Sequence, residues 1–170
     1  SAQKPSLGAA PDISVVIPVC QIGDDLCELY MQYSRELYKT GYSCEFIFIM
    51  DGNDRKMSET QKQLKELDPS IRVLTLNRSY GEAAALALGF DKVRAPIVLT
   101  LPAYFQVEPR EIHQVIERLA QDEVDLVISQ RSPRKESLFG QLRSRVFHRL
   151  VGLVTGRIYQ DLACGVRAMK

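Results

Sequence analysis

Ile97-Val98-Leu99-Thr100-Leu101-Pro102-Ala103-Tyr104-Phe105-Gln106 is the stretch that decides how this chain is read. Its front half is a short apolar run, the pattern of a strand buried on both faces. Pro102 cannot donate to a sheet ladder, so the strand stops at or near it. Residues after Leu101 then lie at the carboxyl edge of a parallel sheet, where open α/β proteins place their ligands. The turn itself carries no carboxylate, histidine or thiol.

Working outward, the same grammar repeats. Strands are expected over residues 13–19, 44–50, 71–76, 97–101 and 124–129, and helices over 24–38, 57–67, 82–93 and 109–120. Leu26, Leu29, Tyr30, Tyr33 and Leu37 recur at helical spacing, with Asp24 and Asp25 suited to the first turn. Asp51-Gly52-Asn53-Asp54 and Asn77-Arg78-Ser79-Tyr80-Gly81 are turn sequences, and Pro109 suits a helix start. Strand and helix alternate with short connections, which predicts an α/β, Rossmann-like domain: a mainly parallel sheet with helices on both faces. Residues 1–12 read as a loose leader, and residues 13–170 are expected to be one domain, cut short at its C-terminal side.

Composition narrows the function. Hydrophobic residues at 45% and charged ones at 25% are ordinary for a globular chain, and a net charge of +1 gives no reason to expect a nucleic-acid partner. Cys20, Cys27, Cys44 and Cys164 form no C-x-x-C pair, which favours a reducing, cytoplasmic setting over a disulfide framework or zinc site. His113 and His148 both fall in expected helices and read as surface or packing residues. No glycine fingerprint of a dinucleotide fold, P-loop or serine-hydrolase elbow is present. Between 131 and 149 stand Arg131, Arg134, Lys135, Arg143, Arg145 and Arg149, offset only by Glu136, and Phe139, Leu142, Val146, Leu150 and Leu153 recur among and after them at helical spacing. Such a segment either lies on an anionic membrane or packs on the sheet with a solvated basic edge.

The strand ends together outline a candidate site. Asp51 could accept hydrogen bonds from a base or ribose, or simply bond its own turn. Arg78 and Arg131 could grip a pyrophosphate in bidentate fashion, or be surface arginines. Gln106 offers neutral hydrogen bonds.

The loops resemble those of the family-2 (GT-A fold) glycosyltransferases, in particular the dolichol-phosphate mannose synthase and polyprenyl-phosphate glycosyltransferase branch. The resemblance rests on Ile13-Ser14-Val15-Val16-Ile17-Pro18-Val19, Phe46-Ile47-Phe48-Ile49-Met50-Asp51-Gly52, Leu76-Asn77-Arg78-Ser79-Tyr80-Gly81 with Ala83-Ala84-Ala85-Leu86, Ser129-Gln130-Arg131, and Asp161-Leu162-Ala163-Cys164-Gly165-Val166-Arg167-Ala168-Met169. It implies sugar transfer from a nucleotide-sugar donor to a polyprenyl phosphate or similar acceptor, at the inner membrane face. It places Pro18, Ile49, Asp51, Ala103, Gln106 and Arg131 in the nucleotide-sugar pocket, with Arg78 beside them on its own chemistry, and it leaves the catalytic group unassigned.

The departures are as specific. The family's Tyr-Asn-Glu after the first strand is Cys20-Gln21-Ile22, the first acid of its Asp-Asp-Gly is Met50, and a position often basic is Glu82. The Asp-x-Asp that binds Mg²⁺ or Mn²⁺ in the family is Pro102-Ala103-Tyr104, so no metal ligand is expected here. Glu108, the nearest acid, suits a helix start instead. An alternative expectation follows: a divergent GT-A domain without catalysis, acting in nucleotide binding, regulation or partner interaction.

Overall fold

The structure, a computed structural model, describes residues 10–121, 124–129 and 165–170. The elements are β1 (Ile13–Val19), α1 (Leu26–Tyr38), β2 (Cys44–Met50), α2 (Arg55–Leu67), β3 (Arg72–Thr75), α3 (Glu82–Asp91), β4 (Ile97–Thr100), a 3₁₀ turn (Pro109–Glu111), α4 (Ile112–Gln121), β5 (Leu126–Ile128) and β6 (Arg167–Met169). Among the described residues one sheet forms, in the order β3-β2-β1-β4-β6-β5.

β1 pairs in parallel with β2, from Ile13 against Cys44 to Val19 against Met50, and with β4, from Ile13 against Ile97. β2 pairs in parallel with β3. β6 runs antiparallel between β4 and β5, so β5 points the same way as the first four strands without touching β4. The expected mainly parallel α/β sheet is what the chain forms; the antiparallel wedge is an addition.

Side chains alternate across the sheet as a strand requires. Val15, Ile17, Phe46, Phe48 and Leu99 pack with Leu26, Leu29, Tyr33 and Leu37 of α1, Met57 and Leu64 of α2, and Ile112, Ile116 and Leu119 of α4. On the other face Val16, Ile47 and Ile49 pack with Ala85 of α3. Helices therefore cover both faces, and β1 and β2 are buried along their whole length.

Two helix starts are set by aspartates. Asp25 caps α1, its Oδ1 accepting the N–H groups of Cys27 (2.8 Å) and Glu28 (3.2 Å). Asp54 caps α2 through the Met57 N–H at 2.8 Å. α1 thus begins two residues later than expected and α2 two residues earlier. At Pro102 the ladder fades as anticipated: β4 ends at Thr100, and the Leu101 N–H makes a last bond to the Val16 carbonyl at 3.0 Å. No helix among the described residues is long and apolar enough to cross a membrane.

α3 lies very close to the sheet at Gly89. A Cβ there would meet Val16 Cγ1 at 2.5 Å and Ile49 Cδ1 at 3.0 Å, and both residues are fully buried. Gly89→Ala is expected to lose about 1 to 2 kcal/mol, since overpacking a tight core outweighs the helix propensity alanine gains. Urea unfolding checks this: the midpoint should fall with the slope unchanged.

Candidate functional site

The site lies at the carboxyl ends of β1, β2, β3 and β4. Asp51 follows β2 directly, tied by its N–H to the Val19 carbonyl at 2.9 Å, and is 3% exposed. Its Oδ1 accepts the Tyr80 N–H at 2.7 Å; its Oδ2 accepts the Ser79 hydroxyl at 2.8 Å and the Gly81 N–H at 2.9 Å. Burial pushes this carboxyl upward, but the Tyr80, Ser79, Gly81 and Cys20 hydrogen bonds outweigh it and hold it below the usual aspartate range. Asp51 is therefore an anion at neutral pH that clamps the loop after β3 onto the end of β2.

The glycines flanking this clamp are conformationally required. Gly52 has φ 131° and Gly81 φ 91°, values that residues with a Cβ rarely adopt. Gly81 also caps α3, so its N–H meets the Asp51 carboxylate where the helix's unpaired donors begin. Cys20, after β1, completes the group. Burial first, then the Asp51 charge, raises its thiol to about 11, so it stays protonated.

Arg78 is exposed on the clamped loop, its guanidinium 4.9 Å over the Tyr80 ring. The Tyr80 hydroxyl in turn donates to Asn77 Oδ1 at 3.1 Å. Pro18 and Ile49 pair in register near the carboxyl ends of β1 and β2 and are buried, Ile49 in the cluster with Ala85 of α3.

Beyond β4 the chain is stitched to its far end. The Gly165 N–H donates to Gln106 Oε1 at 2.7 Å, and the Thr100 hydroxyl donates to the Gly165 carbonyl at 2.8 Å. Gln106 Nε2 donates to the Tyr104 hydroxyl at 3.3 Å. Ala103 is buried beside them, while Tyr104 is 48% exposed. The Phe105 N–H donates to Asp24 Oδ2 at 2.9 Å, and its ring stacks on Tyr33 with centroids 5.9 Å apart.

The structure thus brings Asp51 and the loop bearing Arg78 together, with Pro18 and Ile49 buried near the ends of β1 and β2 and Ala103 and Gln106 at the turn after β4. Arg131, His148, Cys164 and the basic segment 131–149 lie outside the described residues. Cys20 and Ser79 fall in strand-end loops and Gly165 in the 161–169 stretch of the resemblance, but none of them is assigned a role by the sequence; nothing local marks a serine or a glycine as the partner of a carboxylate or amide far away in the chain.

The resemblance implies a divalent cation at the turn after β4, and the residues there do not fit one. Pro102 is buried and offers no side-chain ligand atom, the Tyr104 hydroxyl is already bonded to Gln106, and Met50 is packed into the core. Among the described residues no three His, Cys, Asp or Glu side chains converge on a point.

Comparison with known proteins agrees with this architecture. The family described as "Glycosyl transferase family 2" matches residues 14–169. The undecaprenyl-phosphate 4-deoxy-4-formamido-L-arabinose transferases of Salmonella paratyphi B and Salmonella newport are 33% identical over 165 residues, 95% of this chain and 50% of theirs. The chain spans about half the length of these curated relatives. Among solved structures, glucosyl-3-phosphoglycerate synthase from Mycobacterium tuberculosis, bound to Mn²⁺, UDP-glucose and phosphoglyceric acid, superposes with a TM-score of 0.70 at 17% identity, over 94% of this chain and 56% of that one. A mannosyltransferase from Pyrobaculum calidifontis, bound to GDP-mannose and Mn²⁺, gives 0.60 at 16% identity, over 98% and 46%. These two share the fold.

Proposed function

Because the chain belongs to glycosyl transferase family 2, we propose that its carboxyl edge binds a nucleotide sugar and that the whole protein passes the sugar to a polyprenyl phosphate. The observation that carries this is the Asp51 clamp, which fixes the exposed, Arg78-bearing loop at the carboxyl end of β2. The relatives named above, which act on undecaprenyl phosphate, support the acceptor class.

In this assignment Arg78 meets the donor diphosphate, while Ala103 and Gln106 line the sugar side through backbone and amide contacts. Arg131 and the basic segment that follows it face the lipid phosphate on an anionic membrane surface. A phosphate acceptor is ionised at neutral pH, so it needs little help from a general base. The test is a transfer assay on the full-length protein in vesicles holding polyprenyl phosphate, with radiolabelled nucleotide sugars. Label passing into the lipid phase is the expected result; none from any donor sinks the transferase assignment.

One observation favours a second reading, a donor-binding domain without turnover: the Pro102-Ala103-Tyr104 turn lacks charged groups. Donor binding in the absence of transfer would identify it. Under either reading Arg78→Ala is expected to raise the Kd for UDP or GDP by about tenfold, the loss of one charge-assisted contact. Calorimetry on variant and wild type checks it, and an unchanged Kd removes Arg78 from the site.

A further inference from the structure

We propose that this pocket takes its nucleoside diphosphate without a divalent cation, the family's metal-binding turn having been rebuilt here as a neutral, internally bonded one. The inference rests on the donor-site assignment above and concerns how that site handles charge.

Mg²⁺ and Mn²⁺ bind through hard oxygen ligands, usually carboxylates together with substrate phosphates. Around the turn after β4 several side-chain oxygens already accept hydrogen bonds from the protein. Gln106 Oε1 accepts from the Gly165 N–H at 2.7 Å, and the Tyr104 hydroxyl accepts from Gln106 Nε2 at 3.3 Å. Asp24 Oδ2 accepts from the Phe105 N–H at 2.9 Å. Both Asp51 oxygens hold the 79–81 loop.

Pro102 is turned away from solvent. Its Cβ and Cδ lie 3.4 Å from where a Cβ on Gly165 would stand, so the ring packs on that glycine. Glu108 is exposed, but it stands past the Gln106 bond, at the head of the 3₁₀ turn. A lone carboxylate there leaves a small cation short of ligands. The acids the family relies on are thus replaced by groups that close the turn onto the 165–169 segment.

The consequence is a division of labour different from that of a metal-dependent site. Neutralisation of the diphosphate falls to arginine, with Arg78 already poised over Tyr80. Affinity should then be blind to chelators.

The experiment is calorimetry of the full chain with UDP and with GDP, each in MnCl₂ and in EDTA. Equal Kd values in the two buffers are expected. Tightening by about tenfold or more in Mn²⁺ overturns the inference while leaving the donor site standing. Binding in neither buffer overturns the donor-site assignment and the inference with it. Mn²⁺ alone, followed by electron paramagnetic resonance, gives an independent arm. The free-ion signal should survive addition of wild type and be quenched by the double variant P102D/Y104D. Saturable one-to-one uptake by wild type overturns the inference even if the double variant fails to fold, and Tyr104→Asp alone serves as the milder substitution.

Discussion

Asp51→Ala is expected to abolish nucleotide binding and to lower stability by about 3 kcal/mol, because a buried charged acceptor is removed from under several donors at once. The Ser79 hydroxyl and the Tyr80 and Gly81 N–H groups would be left facing a void, and the loop that carries Arg78 would lose these three bonds to the end of β2. For a chain of this size that corresponds to a melting temperature lower by about 6 to 12 °C. Asp51→Asn separates the charge from the shape. It keeps one carbonyl oxygen for Tyr80 but turns an NH₂ toward Ser79 and Gly81, so an intermediate loss is expected. Thermal melts and UDP calorimetry read both effects, and a wild-type Kd in Asp51→Ala would show that the clamp does not organise the site.

The pH dependence follows in sign. Asp51 is held below its ordinary range in the folded state, so its contribution is present above the usual aspartate pKa. It is lost as pH falls through the depressed value. Below that value Asp51→Ala and wild type should converge in stability, while at neutral pH they differ most.

How much of this was legible depended on whether the signal was local. The bounds of β1 and β2 could be read directly, because an unbroken β-branched and aromatic run buried on both faces leaves few alternatives. The helix starts slipped in opposite directions: Asp24 and Asp25 suit the first turn of α1, whereas Asp25 is its cap, and the expected α2 starts at its first apolar residue, Met57, whereas its cap is Asp54. β6 was missed for a different reason. Arg167, Ala168 and Met169 have no strand pattern of their own and become a strand only by entering between β4 and β5. At the site, Asp51 was visible as the acid of a turn. Its partners were not, since Ser79 and Gly81 carry no mark of the carboxylate they bind.

One unread signal was present in the strand pattern itself. Cys44-Glu45-Phe46-Ile47-Phe48-Ile49-Met50 holds a carboxylate inside a run buried on both faces, and such a group requires partners. They prove to be distant. Glu45 Oε1 accepts the Ser14 hydroxyl at 2.6 Å and the Arg94 N–H at 3.1 Å; Oε2 accepts Arg94 Nη2 at 2.7 Å and Arg72 Nη1 at 2.8 Å. This network sits at the amino edge of the sheet, opposite the site, and ties β1, β2, β3 and the approach to β4 into one block. The Arg72 guanidinium also donates to the Lys92 carbonyl at 2.8 Å, closing the end of α3.

Glu45→Ala is accordingly expected to cost about 3 kcal/mol, the low end for breaking a buried ion pair. The low end applies because the Arg94 side chain is 62% exposed and can return to water, whereas the fully buried Ser14 cannot. Nucleotide affinity should not change, which separates this variant from Asp51→Ala. Burial pushes the Glu45 carboxyl up, yet Arg94, Ser14 and Arg72 together hold it below the ordinary glutamate range. Its contribution is therefore complete at neutral pH and disappears as pH falls through that depressed value. Urea unfolding of wild type and Glu45→Ala across the acid range tests both halves. The gap should be widest above the ordinary glutamate pKa and close toward strong acid. A gap that stayed constant with pH would mean that the lost stability came from packing and not from the charge.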